Sequence, residues 1–166
     1  MNNFTINKRT LSFQDIQTEK VSALSTSEQD VFDFLKSWLD GEKQFTVHTS
    51  GSTGKPKAIS ISRKQMILSA QKTGAFLNLK KGNTALICLS AAHIAGKMML
   101  VRCLELGLKA TIIDPCSDPF TITNKAFSFT ALVPLQVQTI LENKTSAQLF
   151  QQTSIIIIGG SPLNNE

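Results

Sequence analysis

Between residues 84 and 163, short apolar runs alternate with stretches of helical spacing, and this constrains the fold more than any other feature. "TALICLS" suits a buried strand, and "KMMLVRCLELG" has helical spacing and closes on Gly107. "KATIIDP" and "SFTALVP" again read as strands. "LQVQTILEN" follows Pro134, where proline fits the first helical turn, and "SIIIIGGSPL" is a strand entering a glycine loop. Parallel strands must be joined by crossovers, and helices are the usual crossover. The pattern predicts an α/β domain with a mostly parallel sheet and flanking helices.

Upstream, "STSEQDVFDFLKSWLDGEK" reads as an amphipathic helix. A Ser or Thr cap precedes Glu28, and Val31, Phe32, Phe34, Leu35, Trp38 and Leu39 form its apolar stripe, ended by Gly41. Residues 1–26 lack regular periodicity and suggest a loosely attached lead-in. "QFTVHTS" is a short strand, "AISISRKQM" alternates like another, and "RKQMILSAQKTGAFLNL" is a helix. This divides the chain into a lead-in with its helix (1–44) and an α/β domain (45–166). A final strand that delivers a loop at "GGSPLNNE" usually has more protein after it, so we expect the N-terminal part of something longer. Sheet edges left open by such a truncation would favour self-association into a homo-oligomer.

The chain has 166 residues, enough for a real core. No apolar run approaches the ~20 residues that span a bilayer, and the N-terminus lacks a secretory signal, so no membrane role is expected. Cys88, Cys103 and Cys116 are odd in number and lack CxxC spacing, which favours reduced thiols in a cytoplasmic protein. Residues 1–45 carry five Lys/Arg against seven Asp/Glu, whereas residues 46–166 carry twelve against five. The basic half suits an anionic ligand or simply a soluble basic surface. With no tyrosine and no basic-aromatic interleaving, nucleic acid is not expected as a partner.

The basic half begins with "VHTSGSTGKPK", Val47 to Lys57. Gly51 and Gly54 let the backbone bring its N–H groups close to a ligand, and successive N–H groups make a concave anion site. Thr49, Ser50, Ser52 and Thr53 add hydroxyl donors, and Lys55 and Lys57 add charge. This is polyphosphate-binding chemistry; a flexible Ser/Gly linker between two strands is the plainer reading. The Walker pattern is absent, because the glycines are too close and Pro56 disfavours a helix at Lys55.

"TSGSTGKPK" closely resembles the signature loop of the acyl-adenylate-forming (AMP-binding) superfamily, roughly [ST]SG[ST]TGxPKG, with Ala58 in place of its last glycine. "HIAG" at 93–96 resembles the HxxG segment. "ALVPLQVQTIL" at 131–141 resembles the family's strand, Val-Pro and helix. "GGSPL" at 159–163 is similar to GGAPL, with Ser161 for alanine. Together these cover roughly residues 45–163 in the family's order. Within the superfamily the o-succinylbenzoate–CoA ligases of menaquinone biosynthesis match best, from the short lead-in and from Arg102 lying nine residues after His93.

The resemblance implies the N-terminal part of an ATP-dependent carboxylate–CoA ligase, folded as part of the adenylate-forming enzyme domain. A small-molecule carboxylate attacks ATP to give an acyl-adenylate and pyrophosphate, and CoA then displaces AMP. Thr49, Ser50, Gly51, Ser52, Thr53, Gly54 and Lys57 would hold the β- and γ-phosphates. Gly159, Gly160, Ser161 and Pro162 would line the adenine. His93 would sit where the acyl pocket meets the α-phosphate, and Arg102 would face the substrate's distal carboxylate.

Plainer readings stand beside these. Lys55 and Lys57 are solvated, and His48 and His93 are surface or loop histidines. Arg102 pairs with Glu105, and Met98 and Met99 fill the core. The alternatives to an o-succinylbenzoate ligase are another acyl- or aryl-CoA synthetase, an adenylation domain, or a non-catalytic nucleotide-binding module. The family's Mg²⁺-binding glutamate, its ribose-binding aspartate and its C-terminal lysine have no counterpart in the chain. This chain alone is therefore expected to bind ATP weakly and to form no thioester from ATP, o-succinylbenzoate and CoA; a coupled assay giving enzyme-like turnover would contradict that.

Overall fold

The computed structural model describes residues 3–49 and 57–160. The chain runs β1 (Asn3–Ile6), β2 (Arg9–Ser12), α1 (Phe13–Gln17), α2 (Thr26–Leu39), β3 (Gln44–Thr49), β4 (Lys57–Ser62) and α3 (Arg63–Phe76). It continues through β5 (Thr84–Ile87), α4 (Ile94–Leu106), β6 (Lys109–Ile112), α5 (Pro119–Thr123), β7 (Phe129–Leu132), α6 (Pro134–Glu142), α7 (Lys144–Gln152) and β8 (Ile155–Ile158). Six strands form one sheet in the order β2-β1-β6-β5-β7-β8, and β3 pairs with β4 in a separate two-stranded sheet. All pairings in the large sheet are parallel except β1 with β2.

The expected α/β architecture is therefore present, with both faces of the sheet covered. Side chains alternate across a strand. Ala85 and Ile87 of β5 and Phe129 and Ala131 of β7 enter one core with α2, α3 and α4. Leu86, Cys88 and Leu132 enter a second core with Phe120 of α5 and Ile140 of α6. A run of consecutive apolar residues is what a strand buried on both faces needs. Met98 and Met99 are both buried, so the core-filling reading of these methionines holds. All three cysteines are free, and burial pushes the Cys88 and Cys103 thiols up to about 12. Among the described residues, no helix is long and apolar enough to cross a membrane.

Helix α2 forms as its sequence predicts. Ser25 Oγ accepts from the Glu28 N–H, the apolar stripe is buried except for the half-buried Leu39, and the N–H groups of Gly41 and Glu42 return to the Trp38 and Ser37 carbonyls. The loosely attached lead-in does not hold. Residues 3–12 form a hairpin, turned at Asn7 and Lys8 in left-handed conformation, and β1 pairs with β6 inside the sheet. Phe4, Ile6, Leu11 and Ile16 are buried. The sheet thus crosses the boundary placed between residues 44 and 45. NFTI and RTLS lack the continuous apolar run that marks the inner strands, which is why the sequence conceals them.

A buried polar cluster anchors this hairpin. Glu28 is fully buried and pairs with Arg9, while Oε1 accepts from Asn7 Nδ2 at 2.8 Å and Oε2 from the Leu24 N–H at 2.7 Å. Asn7 also donates to Asp114 Oδ1 at 3.0 Å, and Ser25 Oγ donates to the same oxygen. A buried charge is tolerable only when its lone pairs are met in this way. Replacing Glu28 with Ala would strand Arg9 and Asn7; urea denaturation should show a loss of about 3–5 kcal/mol.

Candidate functional site at the C-terminal edge of the sheet

The strand order reverses around β5. The chain goes from β5 through α4 to β6 on one side, then back through α5 to β7 on the other. Right-handed crossovers in opposite directions put their helices on opposite faces, as the two cores show. A crevice forms where such connections diverge beyond the strands' C-terminal ends, and open α/β sheets bind ligands there. By this strand order, the crevice position is between the ends of β5 and β7.

From the end of β5, residues 88–92 lead to His93, which is exposed and is the N-cap of α4. Its N–H donates to the Ser90 carbonyl at 3.2 Å, and the Ala92 N–H donates to Ser90 Oγ at 3.1 Å. The helix was expected to begin at Lys97, after a loop "AAHIAG", but it begins at Ile94. Gly96 makes this possible: a Cβ there would lie 2.2 Å from the Ser90 carbonyl oxygen. The glycine of "HIAG" lets the helix close against the turn before it.

From the end of β7 the chain enters α6 at once, with Val133 as N-cap and Pro134 at the first helical position, as expected. Neither Val133 nor His93 caps its helix with a side chain, whereas the other five helices are capped by Ser12, Ser25, Ser62, Asp118 and Asn143. The first N–H groups of α4 and α6 therefore have no side-chain acceptor at the cap, and both helices open beside the crevice. Gln136, which went unnoticed in the sequence, ties the crevice floor together. Its Oε1 accepts from the Val133 N–H at 3.0 Å, and its Nε2 donates to the Cys116 carbonyl at 2.9 Å. Its place two residues after a helix-opening proline, where a capping glutamine sits, was the available signal.

Gly159 and Gly160 follow β8 at the same edge. The Gly159 N–H donates to the Leu132 carbonyl at 3.1 Å. Gly160 has φ +102°, a left-handed conformation in which a side chain would be strained. His93 and the two glycines thus come to one edge of the sheet, after β5 and β8, with β7 between them. Ser161 and Pro162 lie outside the described residues.

Most of the phosphate-loop residues also lie outside: Ser50, Gly51, Ser52, Thr53, Gly54 and Lys55. Their flanks are described. β3 and β4 form an antiparallel hairpin in register from Gln44↔Ser62 to Thr49↔Lys57, so the loop joins two paired strands. The hairpin base is held by Phe45, 5.3 Å from both the Trp38 and Phe34 rings. Arg63 lies 4.1 Å over Trp38 and donates to its carbonyl.

Arg102 is not beside His93. Nine residues along a helix is about 13 Å, which puts it toward the far end of α4. Its Nη1 is 3.7 Å from Met99 Sδ, and its Nε is buried without a hydrogen-bond partner. Burial lowers its pKa by penalising the charge. Among the described residues it forms no ion pair with Glu105; the pairs found are Arg9–Glu28 and Lys36–Glu19. Nor do three or more His, Cys, Asp or Glu side chains among the described residues group to hold a metal ion.

The AMP-binding enzyme family matches this chain over residues 8–166. The chain belongs to that family. An acyl-CoA synthetase (AMP-forming)/AMP-acid ligase II-like protein from Dyadobacter fermentans has a crystal structure similar to this one. It is 40% identical with a TM-score of 0.80, over 90% of this chain and 43% of that one. A 2-succinylbenzoate–CoA ligase from Bacillus cytotoxicus is 23% identical over 73% of this chain and 26% of its own length. The nonribosomal peptide synthetase verP of Clonostachys rogersoniana is 29% identical over 70% of this chain and 6% of its own. The chain thus spans well under half the length of these relatives. Membership in the AMP-binding family fits an edge where glycines and open helix ends adjoin.

Replacing Gly96 with Ala should push the Ser90 turn away from α4. A loss of about 1–3 kcal/mol in thermal or urea unfolding is the expected outcome.

Proposed function

We propose that this chain forms the nucleotide- and acyl-side portion of an ATP-dependent carboxylate–CoA ligase, with o-succinylbenzoate as the carboxylate. The observation that carries the reading is that "HIAG", the Val133–Pro134 junction and Gly159–Gly160 follow β5, β7 and β8 at one edge of the sheet, alongside two helices that open without side-chain caps. In this reading a carboxylate oxygen attacks the α-phosphorus of ATP, and pyrophosphate leaves. The CoA sulfur then attacks the acyl carbon, and AMP leaves.

The chain's part in both steps is positioning and charge neutralisation. Thr49 to Gly54 and Lys57 hold the β- and γ-phosphates, and Gly159, Gly160, Ser161 and Pro162 line the adenine. His93 stands by the reacting carboxylate. Arg102, one polar nitrogen of which is buried without a partner, receives the distal carboxylate of an elongated substrate lying along α4. The ~13 Å between the two residues, less the reach of an arginine side chain, supports a substrate with carboxylates at both ends rather than a compact one. Mg²⁺ neutralises phosphate charge in such chemistry, and no ligand for it is assigned to this chain. Three unpaired cysteines support a reducing, cytoplasmic setting.

A second reading, with a different acyl or aminoacyl carboxylate, draws on the 29% identity to the peptide synthetase. Carboxylate-dependent ATP–pyrophosphate exchange, measured on the polypeptide that carries these residues in its complete form, separates the two. With o-succinylbenzoate as substrate, His93→Ala should lower kcat about 100-fold. Arg102→Ala should raise KM for o-succinylbenzoate about 10-fold or more and leave benzoate, which lacks the succinyl arm, unaffected. Equal losses on both acids would remove Arg102 from the substrate site.

A further inference from the structure

We propose that Lys97 is a positioning residue whose ammonium group holds the turn carrying His93 in a single orientation. The functional half of this inference rests on the reading of His93 given above. Lys97 lies in the first turn of α4, where the helix dipole disfavours a cation. It is also half-buried, and burial lowers its pKa, with Asp30 opposing that effect. A lysine in such a place needs compensation, and the structure supplies it. Nζ donates to the Ala91 carbonyl and, at 3.2 Å, to the Ala92 carbonyl, the two residues before His93. The ammonium also lies 5.8 Å from the centre of the Phe34 ring on α2.

Neighbouring contacts complete the clamp. The Ser90 carbonyl accepts from the His93 N–H, and the His93 carbonyl accepts from the Lys97 N–H at 3.1 Å. All four carbonyls from Ser90 to His93 are therefore engaged, and two depend on one side chain. A cavity of about 220 Å³, lined by Asp30, Phe34, Phe45, Ala91, Ala92 and Lys97, adjoins the turn and gives it room to move if the ammonium is lost. With Lys97 in place, the Ala91 and Ala92 oxygens are bound to it and do not confront an anion beside His93.

The chain has two histidines, His48 and His93, so histidine labelled with ¹⁵N reports on the turn and carries an internal reference. In Lys97→Met, hydrogen exchange at the His93 amide should rise about 10-fold as the turn loses its donors, with its ring resonances shifted and those of His48 unmoved. Lys97→Arg should keep the wild-type pattern. Unchanged His93 exchange and ring resonances in folded Lys97→Met overturn the proposal. Should that variant not fold, Lys97→Gln, which keeps a neutral donor, is judged by the same two criteria.

In the exchange assay, Lys97→Met should lower kcat about 10-fold with KM for ATP within about twofold, and Lys97→Arg should restore it. A wild-type kcat in Lys97→Met also overturns the proposal. If the wild-type protein shows no carboxylate-dependent exchange, the functional reading fails, while the resonance and exchange measurements still decide whether Lys97 holds the turn.

Discussion

Strand β5 is hydrogen-bonded to β6 on one side and β7 on the other, and Leu86 and Ile87 bury it on opposite faces. With no free edge or face, it fixes where its neighbours go. The chain leaves it towards β6 through α4 and returns past it towards β7 through α5, and right-handed crossovers then put α4 and α5 on opposite faces. The crevice is the geometric residue of that reversal. No catalytic requirement is needed to explain it, and the residues following β5, β7 and β8 inherit a place beside it.

The rest of the fold stiffens this centre. The cluster of Asn7, Arg9, Glu28 and Asp114 joins the N-terminal hairpin, α2 and the end of β6 through groups far apart in sequence. Such a network resists sliding because each buried polar group is costly to leave unpaired. Towards the C-terminal end of α2, Phe34, Trp38 and Phe45 hold the second hairpin, with Arg63 capping the stack. One helix thus orients both the β1–β2 end of the sheet and the hairpin that bears the glycine loop.

Legibility varied with the length and locality of the signal. The apolar runs around β5, β6, β7 and β8 and the stripe of α2 were plain, because burial on one or two faces leaves a periodic record. Strands β1 and β2, in which polar residues interrupt the apolar ones, left none, and the lead-in reading failed there. The five-residue helices α1 and α5 went unpredicted because one turn leaves no periodic record, and α7 went unpredicted as well. "HIAG" drew notice to the turn after β5, but the purpose of Gly96 emerged only from its closeness to Ser90. Spacing brought Arg102 to notice, yet nine helical residues separate rather than unite two side chains.

By itself the sequence determined the α/β class, the helix starts before Glu28 and at Pro134, and the family, whose loop motif is a contiguous string read without any folding. Each is local, set by periodicity, by a cap or by composition over a few residues. Tertiary structure alone decided that residues 3–12 complete the sheet and that β3 and β4 pair apart from it. It also decided that Glu28 is a buried anchor and that Lys97 turns inward to two carbonyls. Those outcomes depend on strand order and on partners distant in sequence, and the free energy of a buried polar group is set by whichever partner the fold brings to it.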